Sequence, residues 1–211
     1  MTVRYAAVLA TPPAEPIRLP GIDPDELHLA FLEDVYEVVA GLELVHPALI
    51  LRPPDRPDAE ALAWPGTAIL RAPDPVAALH ALTDLGADEA ALVVPDVPDL
   101  PALLLGKLFR ALGGAPVAAC PAAEGGLVAL AVRLPAPDWL VEALPALGAD
   151  LREPRALAVL RSEAPRPGLV RRTPGWHRLC EQDDLSRLDP DLEGWENTRA
   201  LLAGRPLRTS P

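Results

Sequence analysis

Hydrophobic residues along this chain fall into short, nearly unbroken runs separated by amphipathic stretches, a pattern that predicts strands alternating with helices. Val3 to Leu9 is a mostly apolar run without helical spacing, as expected of a strand buried within a parallel sheet. A proline-laden loop, Thr11 to Pro20, follows. Asp23-Pro24 then supplies an N-cap and a proline at the first helical position, and Leu27, Ala30, Phe31, Val35, Val38 and Val39 repeat at helical spacing to about Gly41. Ala48 to Leu51 predicts a second strand, the cluster Pro53 to Asp58 a break, and Thr67 to Arg71 a short third strand. Asp74-Pro75 repeats the cap-plus-proline device before a helix that ends near Leu85.

A fourth strand, Ala91 to Val94, runs into Pro95-Asp96-Val97-Pro98-Asp99-Leu100-Pro101 and then into a helix bearing Leu104 and Leu108. Ala115 to Ala119 predicts a fifth strand, and Pro121-Ala122-Ala123-Glu124-Gly125-Gly126 connects it to a sixth, Leu127 to Val132. Pro137 to Leu147 and Arg155 to Arg161 predict helices, Leu169 to Arg172 an edge strand, and Gln182 to Leu188 and Leu192 to Leu202 two short C-terminal helices. The fold class expected is α/β, a three-layer α-β-α sandwich around a mostly parallel, mixed sheet. No repeat or long linker divides the sequence, so a single domain over residues 1–211 is expected.

Half of the residues are apolar but only 4% are aromatic, so the core has to be built from Ala, Leu and Val. That composition argues against disorder despite 27 prolines. The net charge of −11 is uneven: residues 1–150 hold 8 basic and 21 acidic side chains, residues 151–211 hold 11 and 9. Nucleic acid is therefore an unsuited partner for the main body, because phosphate binding needs a clustered positive field. Seven arginines crowd residues 152–178 against two acids, Glu153 and Glu163. They form either a solvated face that offsets the acidic body or an anion contact.

Cys120 and Cys180 have neither the number nor the spacing of a zinc site or a disulfide framework, which points to a reducing cytoplasm. The N-terminus shows no basic segment leading into a long apolar stretch, so no signal peptide is expected. Ala111 to Val132 carries only one charge, Glu124, but Pro116, Pro121 and four glycines break it where a membrane helix needs continuity. His28, His46 and His80 are not spaced as a triad or a metal site and are read as surface or satisfied core residues. Trp176-His177 and Trp195 are expected to pin the C-terminal helices to the sheet or, if exposed, to mark a partner surface.

Carboxylates stand at two strand ends, the place where ligands bind in an open α/β sheet. The order strand, Asp-x-Pro-Asp, helix, strand, acid-Gly-Gly, strand resembles the GT-A fold of glycosyltransferases and MobA-like nucleotidyltransferases. It is most similar to a bacterial group called glycosyltransferase A-like, over most of the chain. The group's Gly-Ser-Asp-x-Pro-Asp-Leu motif falls on Val94 to Leu100, and its Pro-Ala-Glu-Asp-Gly-Gly-Tyr motif on Pro121 to Leu127. The resemblance implies a nucleotide or nucleotide-sugar ligand, with Mg²⁺ or Mn²⁺ as cofactor of an active enzyme and none otherwise. Asp96 would bind the metal or, as a bland alternative, close the strand-to-helix corner. Glu124 would serve as a ligand contact or acceptor-side base. Gly125 and Gly126 would allow close approach of a sugar or nucleoside, or simply form a tight connection. Asp99, beside the helix start, is expected to cap it.

Two departures weigh against inherited chemistry. The group's phosphate loop, Pro-Gly-x-x-Lys-Thr-Arg-Leu, falls on Pro12 to Leu19, where Pro12, Pro13 and Pro16 have no N–H to offer, Glu15 repels phosphate, and Arg18 is the remaining cation. Near the C-terminus the group's Asp-x-Asp-Thr-Pro-Glu-Asp-Leu falls on Arg178 to Leu185, which puts Cys180 where a second metal carboxylate belongs unless Glu181 substitutes for it. The resemblance thus leaves two functions open: a divergent glycosyl- or nucleotidyltransferase, or a binding or assembly protein on the same scaffold, a homodimer among its forms.

Overall fold

The computed structural model describes residues 2–204. Seven strands form one mixed sheet: β1 (Arg4–Ala10), β2 (His46–Leu51), β3 (Ala68–Arg71), β4 (Glu89–Val93), β5 (Val117–Pro121), β6 (Leu127–Arg133) and β7 (Val170–Arg172). Their order is β3-β2-β1-β4-β6-β5-β7. The first four run parallel, β7 runs parallel to β5, and β6 is antiparallel to both of its neighbours. Helices α1 (Pro24–Ala40), α2 (Pro57–Glu60), α3 (Pro75–Asp84), α4 (Ala102–Ala111), α5 (Asp138–Ala143), α6 (Ala156–Glu163) and α7 (Glu196–Leu202) flank the sheet. The α/β architecture with a mostly parallel sheet is the one expected.

Both cap-plus-proline devices work as read. Asp23 accepts a hydrogen bond from Asp25 N at 2.9 Å and Asp74 one from Ala77 N at 2.8 Å, each supplying a partner for an orphan N–H of its helix. Small residues shape the core. Ala6, Ala91, Ala131 and Ala118 lie side by side on β1, β4, β6 and β5 and are fully buried, a shallow strip across the middle of the sheet.

Proline chemistry accounts for most differences from the expected boundaries. The helix read over Pro137 to Leu147 ends at Ala143 and tightens into a 3₁₀ turn, Leu144–Leu147, because Pro145 has no N–H for the helical ladder. Pro57 starts the short α2 within what was read as a break. β2 begins two residues early, taking in Pro47, and β5 is displaced to include Cys120 and Pro121. The first expected C-terminal helix is a 3₁₀ segment, Gln182–Arg187, and the second shrinks to α7.

The connections after β1 and β4 leave adjacent strands at the carboxyl edge of the sheet and lead to opposite sides, which makes the crevice between them the topological switch point. A C-terminal strap covers it. Leu179, Leu188, Trp195 and Leu201 pack on Leu27, Ala30 and Phe31 of α1 as a second apolar cluster. Asp34 of α1, fully buried, accepts hydrogen bonds from Asn197 N, Asn197 Nδ2 and Thr198 N at 2.9 to 3.1 Å, so a side chain of one helix caps the start of another. At the other end of the strap, Trp176 N donates to Pro121 O and Ala123 N to Trp176 O. A Cβ on Gly175 would stand 2.5 Å from Pro121 O. Gly175→Ala is therefore expected to lift the strap from β5 and cost about 1–3 kcal/mol, read as a shift in the urea midpoint at constant slope.

A cleft closed by arginine

The strap sends Arg178 into the crevice, where its Nε lies 3.0 and 3.1 Å from the two Asp96 carboxylate oxygens and its Nη2 2.9 Å from Oδ2. Arg178 Nη1 donates to Leu127 O at 3.2 Å and to Asp150 O at 3.1 Å, and Leu179 N donates to Asp96 O at 2.8 Å. Arg152 adds a second guanidinium, its Nη2 3.2 Å from Asp96 Oδ2. The Arg178 side chain is only 2% exposed. A buried carboxylate held by one arginine on both oxygens and touched by another on Oδ2 already has its charge compensated by guanidiniums.

Asp99 is the second anchor. It does not cap α4, whose N-cap position is Pro101 and has no side-chain hydrogen bond. Its buried carboxylate instead accepts from Trp176 Nε1 at 3.0 Å and from Asp189 N at 3.3 Å, with His177 Nε2 3.0 Å away. Burial pushes the Asp99 carboxyl up, but the contacts with His177 and Trp176 outweigh it and leave the group below its ordinary range. Both acids of the Asp-x-Pro-Asp motif thus hold the strap down.

The crevice that remains is a space of about 30 Å³, walled by Pro12, Pro13, Leu27 and Phe31 and floored by Asp96 and Arg178. That volume suits one or two water molecules. His28 also lines it; its Nε2 is buried without a hydrogen-bond partner, which corrects the expectation of a surface or satisfied histidine. Burial, reinforced by nearby Arg56, lowers the His28 pKa to about 4. Burial and then Asp96 push the Cys180 thiol up, so it is neutral here.

Glu124 lies on the far side of Arg178: its carboxylate accepts from the Arg187 side chain and lies 3.5 Å from Arg178 N. Gly125 and Gly126 have φ of +107° and +81°, and their backbone presses on residues 151–154, where a Cβ on Gly126 would meet Leu151 O at 2.9 Å. Arg18 is exposed and outside the lining of the crevice. Asp96 and Glu124 are therefore joined through Arg178, with the glycines packed behind and Arg18 apart. The residue that organises the site, Arg178, is not among the candidates that the sequence singles out. Its signal was a charge reversal, an arginine aligned with the first Asp of the group's Asp-x-Asp.

These residues do not fit Mg²⁺ or Mn²⁺. Two guanidiniums already neutralise Asp96, and Cys180 offers soft sulfur where a hard cation takes oxygen. Among the described residues no group of three or more His, Cys, Asp and Glu is placed to hold a metal ion. No helix among them is long and apolar enough to cross a membrane.

No protein-family model and no curated protein matches the chain. Solved structures do. A protein of Desulfovibrio desulfuricans G20, provisionally assigned as a nucleotide-diphospho-sugar transferase, superposes with a TM-score of 0.69 at 23% identity over 97% of this chain and 95% of its own. The 4-diphosphocytidyl-2C-methyl-D-erythritol synthase of Anaerococcus prevotii DSM 20548 gives 0.60 at 12% identity over 96% of each chain. CMP:2-keto-3-deoxy-manno-octonic acid synthetase in complex with CTP gives 0.56 at 14% identity, over 96% of this chain and 99% of its own. At such identities the likeness is one of fold, and the fold of this chain is the α/β fold of the nucleotide-diphospho-sugar transferase-like proteins.

Proposed function

We propose that this chain is a divergent, bacterial relative of the MobA-like and glycosyltransferase A-like transferases, one domain over residues 1–211, in which metal-dependent glycosyl or nucleotidyl transfer has been lost. The scaffold now works as a binding or assembly protein, with a homodimer as its simplest form. The observation that carries this reading is the bidentate Arg178 on Asp96, backed by Arg152, at the position where transfer would need a carboxylate free to take a divalent cation. Prolines in the loop after β1 and the small volume left beneath it support the same reading, since neither leaves room or N–H donors for a diphosphate. Cys120 and Cys180, both free thiols, accord with a cytoplasmic setting.

The test is a melting screen against nucleoside triphosphates and nucleotide sugars, each with and without Mn²⁺. A saturating ligand at about one hundred times its Kd adds about 2.7 kcal/mol, which is several degrees for a protein of this size. No metal-dependent shift is expected for any nucleotide. A shift that needs Mn²⁺ and disappears in Asp96→Asn would restore the transferase reading, and the molar mass by light scattering reports the assembly state.

A further inference from the structure

Five arginines of the 152–178 stretch take no part in the cleft. Arg155 precedes α6, Arg161 lies on it, Arg166 follows it, and Arg171 and Arg172 lie on β7; all five are exposed. Among the described residues none of them forms a salt bridge, whereas Arg4, Arg56, Arg71, Arg152, Arg178 and Arg187 are all paired. They line two grooves that share Arg161. One, of about 540 Å³, holds Arg161, Arg166, Arg171 and Arg172; the other, of about 560 Å³, holds Arg155 and Arg161 beside Pro121 and Leu157. Among the described residues no carboxylate and no aromatic ring lines either groove. In a chain of net charge −11, a track of five uncompensated guanidiniums is a localised exception.

Among the described residues β7 is the last strand of the sheet and pairs only with β5, so the track runs beside an open sheet edge. Val117 N donates to Leu169 O and Thr173 N to Ala119 O, so residues 169 and 173 turn their backbone groups toward β5. By the alternation of a parallel ladder, Val170 and Arg172 turn theirs toward the free edge. We propose that this edge receives an extended, acidic segment of a partner protein, added as a strand beside β7 with its carboxylates in the arginine forks. Backbone pairing supplies register and the planar guanidiniums supply selection, since each matches a carboxylate bidentately. A second copy of the chain is disfavoured at this edge because β7 against β7 would set arginine against arginine. A nucleic acid finds no ring to stack on and is repelled by the net charge, while a short segment is neutralised locally.

The experiment is fluorescence anisotropy of the full chain with a labelled peptide of alternating glutamate and valine. The comparison arms are the peptide N-methylated at alternate residues, oligouridylate and inorganic polyphosphate. The acidic peptide is expected to bind, to weaken with added salt, and to lose about tenfold in affinity in Arg171→Glu/Arg172→Glu and again in Arg161→Glu/Arg166→Glu. Both variants should melt with the wild type, since all four side chains are exposed, and either one alone is sufficient for the test. The N-methylated peptide is expected not to bind. Absence of peptide binding, indifference to both reversals or to N-methylation, or binding of oligouridylate or polyphosphate in the peptide's place overturns the proposal. Neither groove shares a lining residue with the Asp96 cleft, but Gly125 and Gly126 line the second, so the Arg171→Glu/Arg172→Glu arm, which touches the first groove alone, reads independently of whether transfer has been lost.

Discussion

Asp96→Ala is expected to lower the free energy of unfolding by about 3–5 kcal/mol, the usual cost of leaving one member of a buried ion pair alone. The stranded partner is Arg178, whose side chain is 2% exposed and which forms no other salt bridge among the described residues. Its remaining bonds, to the carbonyls of Leu127 and Asp150, do not neutralise a charge. For a chain of this length that loss corresponds to a fall in Tm of roughly 10 °C. Arg178→Ala should cost a similar amount, because Arg152 touches Asp96 through one nitrogen at 3.2 Å and is itself 37% exposed. The double variant should lose less than the two single losses together, by about 1–3 kcal/mol of coupling. Urea titrations of the four proteins measure all three quantities. The sign separates two roles: a carboxylate kept for a ligand is strained in the free protein, and its removal leaves stability unchanged or raises it. An Asp96→Ala variant as stable as the wild type would therefore mean that the ion pair is not what holds the strap.

On the function proposed above, an arginine in place of a dissociable cation changes what the crevice is. A metal ion arrives with its substrate and leaves with the product, whereas a guanidinium on the strap is permanent and carries the strap with it. The contacts to Asp96 and Asp99 act together: Arg178 on the first, Trp176, His177 and Asp189 N on the second. Opening the crevice requires separating the pair and exposing the apolar contact of Leu179 and Leu188 with α1. On that reading the motif that resembles a nucleotide site serves as an internal latch.

The succession of strands and helices was legible because its signals are local, whereas the order of the strands and the antiparallel run of β6 were not. Asp23-Pro24 and Asp74-Pro75 fix two helix starts through bonds made within the first turn, and the apolar runs of β1, β4 and β6 have the length and continuity of doubly buried strands. The Asp-x-Pro-Asp motif marked the right corner of the sheet for the same reason. What those acids do there was not legible, since Asp96 meets Arg178 across 82 residues and Asp99 meets Trp176 across 77. No periodicity encodes such contacts. Asp99 beside a helix start has the spacing of a cap, and nothing nearby in sequence signals that a tryptophan and a histidine claim it first. The split of 152–178 is equally long-range: Arg152 and Arg178 turn inward to one carboxylate, and the five between them are exposed and form no salt bridge among the described residues.

His28→Phe is expected to leave stability at about pH 7.5 nearly unchanged and to raise it above the wild type at pH 5. His28 Nε2 makes no hydrogen bond, so replacing the imidazole by an apolar ring removes no interaction, and the adjoining space of about 30 Å³ accommodates the larger ring. The gain at low pH comes from protonation. In the unfolded chain the imidazole takes up a proton near its ordinary value of 6.5, but in the fold burial and Arg56 hold its pKa at about 4, against the opposing pull of Asp96, Asp25 and Asp58. Between those values the unfolded state binds more protons, so the wild type loses stability as pH falls through that window and keeps the full contribution above it. At pH 5 the loss is about 2 kcal/mol. Asp34 and Glu33 titrate with the opposite sign: burial raises their carboxyls to about 6 and about 7, so the folded state takes up protons first and gains stability on acidification. Those groups are common to both proteins and cancel in the difference between variant and wild type, measured by urea titration across the range. Parallel curves from pH 7.5 to 5 would mean that the folded protein already accommodates a charged imidazole, through water or the carboxylates that share the crevice with it.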